Sequence, residues 1–266
     1  MEPILQTSLS FAPWMEARTR RLPGVVPLDP ENWLEVDSAY GAQMALRERL
    51  LNETPDQVHA LAPSAEPAAA ELYQMILGIL PSLGFDLQDT QAMCPDGRVV
   101  ALDPTQPLMT LGRLVQEDLC LLQADPEGTG QGEHVLTGGV LCFPSGWRLT
   151  EKFGRAMMRI HKPIEIYTDD LGARVQRLMD GVQPGRGLMR GTASHSDAFL
   201  ADPRSEYEYD HGNAASKFIR VERQGLVRLP QTRAVVFSIH TQIVRTEALS
   251  AEQAALLAEF PIRLAD

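Results

Sequence analysis

The sequence predicts an α+β fold in which an antiparallel sheet is flanked by helices and preceded by an extended, proline-rich N-terminal arm. Strand-like segments are joined by long links that contain helices, without the regular strand–helix–strand alternation of a parallel sheet. Five prolines fall within the first 30 of the 266 residues, and each removes a backbone donor. Hydrophobic residues make up 44% of the chain and charged residues 22%, which is the balance of a globular protein with a sizeable core.

The arm is expected to cover residues 1–35, and a single domain is expected to follow over residues 36–266. We expect Trp14 and Trp33 to anchor the arm on the body. Apolar residues at helical spacing, bounded by prolines or capping residues, predict the helices. These are residues 38–52, 67–80, 149–158, 169–179 and a last helix that runs to Leu257 from a capping box of Ser250 and Gln253.

Alternating apolar residues and β-branched residues predict the strands of the sheet. The predicted strands are residues 97–102, 118–124, 133–143, 187–194, 217–222 and 234–244. Turn-rich pieces such as residues 124–128 separate the earlier segments, which favours antiparallel strands with helices on one side of the sheet.

Charge and cysteine content exclude several classes of protein. A net charge of −11 and a pI near 5.0 argue against a general nucleic-acid-binding protein. The three cysteines are too scattered for a disulfide framework or a paired-cysteine zinc site, and they fit a reducing compartment. Neither a basic, apolar leader nor an apolar stretch of ~18 residues is visible. We therefore expect a cytoplasmic protein with no membrane or nucleic-acid partner.

The negative charge is concentrated in residues 51–136. This stretch contains thirteen acidic residues against Arg98 and Arg113, and the remainder of the chain is neutral overall. It predicts either a docking surface for a basic reductase or an ordinary acidic surface.

His161 is the first candidate for chemistry. Pro163 disfavours a helical Lys162, so the preceding helix should stop near Ile160 and hold His161 at its end. Five basic residues and the single acidic Glu151 lie between positions 144 and 163, so an anionic ligand would be favoured. One interpretation is a capped or surface histidine on a solvated basic face. The other is an imidazole that binds a haem iron, with the propionates paired to nearby Arg or Lys.

Residues 214–245 contain the second candidate block, with six basic residues and the single Glu222. In a strand, alternation places Ile219, Val221 and Arg223 on one face, and Arg220 and Glu222 on the other. An arginine on an apolar face needs a partner. For Arg223 the sequence leaves two partners open, a carboxylate of the protein and a carboxylate of a ligand.

The order of these blocks resembles that of a known family, the haem-bearing subunit of haem-dependent oxidative N-demethylases, which also serves dimethylamine monooxygenase complexes. The resemblance extends over about residues 28–260. It is carried by residues 143–147 (Phe-Pro-Ser-Gly-Trp), 151–154 (Glu-Lys-Phe-Gly), 160–164 (Ile-His-Lys-Pro-Ile) and 221–230 (Val-Glu-Arg-Gln-Gly-Leu-Val-Arg-Leu-Pro). One departure lies at residues 190–193, where the family's arginine is kept as Arg190 but its following asparagine and tryptophan are replaced by Thr192 and Ala193.

The resemblance implies a PAS-like, haem-binding domain and a monooxygenase reaction. The implied cofactor is a non-covalent haem b with His161 as its axial ligand. NADPH, flavin and an iron–sulfur centre are implied only through reductase and electron-transfer partner subunits. The implied reaction uses O₂ to remove a methyl group, as formaldehyde, from a small secondary or tertiary amine. Arg190, Arg220 and Arg223 are the candidates to meet haem propionates or an internal carboxylate, with Arg223 as the first choice. A carboxylate is expected to fix the ammonium of the amine, with Glu222 as the first candidate and Asp197 and Asp210 as alternatives.

Two alternatives remain open from the sequence. The first is a non-catalytic haem-binding sensor or partner subunit with the same PAS-like fold. The second is a non-haem iron(II) oxygenase, in which His195, Asp197 and His240 form the facial triad of two imidazoles and one carboxylate.

Overall fold

The computed structural model describes residues 2–20, 24–124, 132–162, 168–205, 208 and 216–262. The helices of these residues are α1 (Tyr40–Glu53), α2 (Pro55–Val58), α3 (Glu66–Ile79), α4 (Pro107–Leu114), α5 (Leu149–Lys152), α6 (Met157–Ile160), α7 (Asp169–Gly181) and α8 (Ala251–Glu259). The strands are β1 (Val26–Pro27), β2 (His59–Leu61), β3 (Asp86–Leu87), β4 (Gln91–Met93), β5 (Val99–Ala101), β6 (Asp118–Ala124), β7 (His134–Val140), β8 (Leu188–Ser196), β9 (Phe218–Arg228) and β10 (Val235–Arg245).

A seven-stranded antiparallel sheet organises the protein, with strand order β1-β8-β9-β10-β6-β7-β2. A second antiparallel sheet of three short strands, in the order β3-β4-β5, lies outside it. The α+β class and the antiparallel sheet flanked by helices, which the sequence predicts, are confirmed.

Helices cover both faces of the large sheet, so the expectation of helices on one side is wrong. Leu119 and Leu121 of β6 pack in the apolar cluster that contains α1, α3 and α4. Cys120 and Leu122, which point the opposite way, pack in the cluster that contains α5, α6 and α7. The reason is that successive side chains of a strand alternate between faces, and β6 is apolar on both.

The proline-rich segment is the extended arm that the sequence predicts, and both tryptophans are buried. The indole Nε1–H of Trp14 donates to the carbonyl of Gln253, and that of Trp33 donates to Ser238 Oγ, each at 2.9 Å. With α8, the arm covers an apolar patch of Ile219, Val221 and Val244 on the large sheet.

The predicted helix over residues 149–158 is two short helices. Between α5 and α6 the chain turns through Gly154, whose φ of 71° is left-handed. The backbone there is held by the sheet, because Gly154 N donates to the carbonyl of Leu136 at 2.8 Å and Leu136 N donates to the carbonyl of Arg155 at 3.1 Å. The pairing with β7 therefore overrides the helical spacing.

Three other elements test the sequence predictions. The capping box of Ser250 and Gln253 is confirmed in both directions at the start of α8. The strand expected to end at residue 222 continues to Arg228, and α4 is a helix for which the sequence made no prediction. None of the described helices is long and apolar enough to cross a membrane.

Candidate functional site

His161 lies at the C-terminal end of α6, where the sequence predicts it. Its backbone N–H and its ring Nδ1 both approach the carbonyl of Met157, at 3.1 and 2.9 Å. A carbonyl only accepts hydrogen bonds, so Nδ1 carries the ring proton and Nε2 carries the lone pair. This is the arrangement in which a histidine binds a metal through Nε2 and is oriented through Nδ1.

The surroundings of His161 keep the imidazole neutral. Burial lowers its pKa most, and the positive charges of Lys152 and Arg190 lower it further, whereas the Met157 carbonyl raises it. A neutral imidazole is the form that binds metal ions.

Arg190 of β8 is the second feature of this site. Its Nε is buried and has no hydrogen-bond partner among the described residues. Burial lowers the pKa of the guanidinium and the charge of Glu222 raises it. A buried guanidinium nitrogen without a partner costs free energy, so Arg190 is prepared to receive an anion.

Glu222 lies on the same sheet face as Arg190. In the antiparallel register Thr192 is opposite Glu222 and Arg190 is opposite Gln224, which places all four side chains on one face. Arg220 Nε donates to Glu222 Oε1 and Gln224 Nε2 donates to Glu222 Oε2, each at 3.0 Å. Both oxygens are thus held in place, and each keeps a lone pair for a further donor.

Arg220 uses its remaining donors within the protein. It is only 3% exposed, and its two terminal nitrogens donate to the carbonyls of Leu200 at 2.9 Å and Phe143 at 2.7 Å. The sequence predicts either a haem propionate or an internal carboxylate as the partner of Arg220. The structure shows the internal carboxylate, Glu222.

Arg223 lies on the opposite face of the sheet from Arg190 and Glu222. Its Nε is 3.3 Å from Glu35 Oε1, and its terminal nitrogens donate to the carbonyls of Trp33, at 3.1 Å, and Asn32. Of the two partners that the sequence left open, the structure shows the carboxylate of the protein.

The alternative iron(II) site is wrong. Both ring nitrogens of His240 are 3.0 Å from carboxylates, Nε2 from Asp37 and Nδ1 from Glu117. The hydrogen bonds to these groups raise the pKa of His240 to about 10, although burial lowers it, so the ring is an imidazolium without a lone pair for a metal.

The other members of that triad do not approach His240. In the large sheet His240 of β10 is opposite Arg223 of β9, and Arg223 is opposite Gly191 of β8. His195 is four residues further along β8 than Gly191, so it is far from His240 along the strand direction. No group of three His, Cys, Asp or Glu residues that could hold a metal ion occurs in the part of the chain that the structure describes. Asp197 is exposed, and Asp210 lies outside the described residues.

Sequence reasoning missed a buried ion pair that supports the site. Arg47 of α1 and Asp118 of β6 are 2.7 Å apart and fully buried. The Asp118 carboxylate also accepts the backbone N–H groups of Cys142 and Phe143, at 2.7 and 2.9 Å, and the Phe143 carbonyl in turn accepts from Arg220. A signal was present, because Arg47 follows Met44 by three residues on the buried stripe of α1.

The donor chemistry of the described residues fits a haem. An imidazole is oriented at a helix end, and the partner-free Nε of Arg190 is close enough to influence its pKa. Two open clefts, of about 690 and 570 Å³, lie elsewhere, and His161 lines neither.

One comparison with known proteins identifies the family. A model of the family described as haem-dependent oxidative N-demethylase, alpha subunit-like, matches residues 24–260. The match includes the arm from Gly24 onward, both strands that hold Arg190 and Glu222, and the helix end at His161. The chain therefore belongs to the haem-dependent oxidative N-demethylase alpha subunit-like family.

Proposed function

We propose that this chain binds a non-covalent haem b and acts as an oxidative N-demethylase on a small secondary or tertiary amine. The family match supports the haem dependence. The structural observation that carries the proposal is the partner-free Nε of Arg190, buried on the sheet near the oriented imidazole of His161.

His161 is the residue that would hold the haem iron, through Nε2. The hydrogen bond from Nδ1–H to the Met157 carbonyl fixes the ring and makes Nε2 the metal-binding nitrogen. The lowered pKa of His161 means that few protons compete with the iron at neutral pH.

Arg190 is the proposed partner of a haem propionate. Arg220 and Arg223 already donate to Glu222, Glu35 and backbone carbonyls. Arg190 alone of the three has a buried nitrogen without a partner in the described residues. A propionate there would accept a charge-assisted hydrogen bond.

Glu222 is the proposed anchor for the substrate ammonium. Arg220 and Gln224 hold its two oxygens, so the carboxylate presents its remaining lone pairs in a fixed direction. When bound, a haem would supply the O₂ chemistry, in which one oxygen atom enters a methyl C–H bond beside nitrogen and the other leaves as water. The two electrons for this step would originate in NADPH and pass through separate flavin and iron–sulfur subunits. The carbinolamine so formed would release formaldehyde and the shorter amine.

Formaldehyde release tests this proposal. The haem-loaded protein is supplied with a chemical reductant and O₂ and is assayed against a panel of secondary and tertiary methylamines. We expect formaldehyde with at least one of them, and a KM raised roughly tenfold or more in Glu222→Gln, because a charge-assisted hydrogen bond is lost. Glu259→Gln, on exposed α8, is the matched control and should leave the KM unchanged.

Two outcomes would contradict the proposal. Haem binding without formaldehyde from any amine would assign the chain as a non-catalytic haem-binding sensor or partner subunit. Equal KM values for the wild type and Glu222→Gln would remove Glu222 from the substrate site.

A further inference from the structure

The outer edge of β5 carries backbone groups that are open to pairing. Hydrogen bonds from Cys94 N to the carbonyl of Arg98 and from Leu102 N to that of Thr90, each at 2.8 Å, fix the register with β4. In an antiparallel pair bonded residues alternate with non-bonded ones, so the N–H and C=O of Val99 and Ala101 point away from β4. Among the described residues these groups have no hydrogen-bond partner.

A cleft of about 690 Å³ runs along this edge. The three residues of β5 line it consecutively, and side chains of α1 and α4, including Glu48 and Arg113, line it as well. Its volume is within the range of ligand-binding clefts, about 300–1,000 Å³.

The same small sheet exposes apolar side chains. Met93 of β4 is 46% exposed and is directly opposite Val99 of β5, which is 58% exposed. Edge strands of monomeric proteins are commonly protected by lysine, proline or a bulge, and β5, with the sequence Val-Val-Ala, has none of these.

The charge around the cleft is negative. Its two arginines are paired, Arg98 with Asp96 at 2.7 Å and Arg113 with Glu48 at 3.3 Å. Asp86, which shares a row with Met93 and Val99, is exposed, as are Asp89 and Asp103. None of these three makes an ion pair within the described residues. A basic segment would therefore be attracted, whereas a second copy of this acidic chain would be repelled.

We propose that the outer edge of β5 pairs with an extended segment of a partner protein in which apolar residues alternate with Lys or Arg. Backbone pairing with Val99 and Ala101 supplies the affinity, as in other cases of strand addition. The cationic side chains meet Asp103, which lines the cleft, whereas Asp86, three strand spacings from the added strand, attracts them only at longer range. This inference does not depend on the haem chemistry at His161.

A synthetic nine-residue peptide of alternating Val and Lys is the probe, and calorimetry of the full chain is the measurement. Ala101→Pro removes one outward N–H and leaves the β4 ladder intact, because proline is compatible with the open side of an edge strand. We expect it to weaken binding roughly tenfold, since one hydrogen bond is lost and the added strand is displaced. Asp86→Asn with Asp103→Asn should weaken binding to a similar extent, and more at low salt than at high salt.

Matched controls separate strand pairing from general charge attraction. Glu252→Gln with Glu259→Gln makes the same change of charge on α8 and should leave peptide affinity unchanged. A peptide of the same composition with prolines at alternate positions should not bind. Circular dichroism and thermal unfolding of each variant verify that it is folded.

Three results would overturn the proposal. The first is no binding of the alternating peptide. The second is binding that Ala101→Pro leaves unchanged, which would mean charge attraction alone. The third is a wild-type dimer that Ala101→Pro dissociates, which would assign the edge to a second copy of this chain.

Discussion

Two cationic side chains of the large sheet have opposite surroundings. His240 is 1% exposed and lies between the carboxylates of Asp37 and Glu117. Arg190 has a buried Nε with no partner in the described residues. Both ring nitrogens of His240 are paired within the protein, which serves stability, whereas the Nε of Arg190 leaves a deficit that a ligand can fill.

The His240 pair makes stability depend on pH. Its pKa is raised from 6.5 to about 10 in the folded state. The stabilisation is therefore complete below pH 6.5 and is lost progressively as the pH rises to about 10, at ~1.4 kcal/mol per unit, because only the native state still binds the proton. We expect His240→Gln to lack this decline. Chemical denaturation of both proteins from pH 6.5 to 10 measures it, and parallel curves would contradict the assignment.

The substitution Arg190→Met is expected to have opposite effects on the stability of the haem-free protein and on its affinity for haem. In the haem-free protein, Arg190→Met should leave the free energy of unfolding unchanged or raise it by about 1 kcal/mol, because a half-buried guanidinium whose Nε has no hydrogen-bond partner in the described residues is replaced by an apolar chain. The same variant should bind haem roughly tenfold more weakly, since a propionate loses its charged donor. Denaturation and haem titration measure the two effects, with exposed Arg186→Met as the control. A destabilised haem-free variant with wild-type haem affinity would mean that Arg190 is structural.

At the scale of elements, strand alternation decides which residues form the site. In β8, Arg190 and Thr192 share the face of Glu222, whereas Gly191 and Ala193 share the opposite face with Arg223 and Val221. Of the two replaced family positions, Thr192 therefore faces the site and Ala193 packs against the arm. The departure from the family pattern is divided between the two faces.

Gly191 is required by the close approach of the arm. A Cβ at this position would lie 2.1 Å from Cε1 of Phe11. We expect Gly191→Ala to lower the free energy of unfolding by about 1–3 kcal/mol through overpacking. The cost should be smaller in a Phe11→Ala background, which removes the ring. Gly78→Ala is the control, because a Cβ there meets nothing within 4 Å, and equal costs in both backgrounds would refute the contact.

Local pattern predicted most elements, and long-range contact decided the exceptions. The periods of α1, α3 and α7 and the apolar run of β6 are properties of neighbouring residues, so the sequence predicted them. The break between α5 and α6 depends on hydrogen bonds with β7, which no local pattern contains. For the same reason the sequence placed Arg223 on the apolar face but could not choose between its partners, because Glu35 is far away along the chain.

At the scale of the whole molecule, the two faces of the large sheet carry different groups of polar side chains. One face, with the N-terminal arm and α8 over part of it, contains the His240 and Arg223 pairs. The other contains Arg190 and Glu222, and α5 to α7 pack on its apolar part. This division predicts that the arm stabilises the fold without taking part in the chemistry.

Trp14 tests that division. Trp14→Ala leaves a cavity over Ile219 and Val221, and we expect it to cost about 3–5 kcal/mol of unfolding free energy. Under conditions where the variant remains folded, its haem affinity should equal that of the wild type, because the deleted ring is on the face away from Arg190. A loss of haem affinity in a folded Trp14→Ala protein would show that the two faces are coupled.

The most direct measurement is a haem titration followed by the Soret absorption band. It compares the wild type with His161→Ala and with His195→Ala, a matched histidine of β8. We expect the wild type and His195→Ala to bind one haem with the same spectrum. His161→Ala should bind at least roughly tenfold more weakly, with added imidazole restoring the wild-type spectrum. Retention of haem by His161→Ala with unchanged affinity and an unchanged ferrous spectrum would contradict the account.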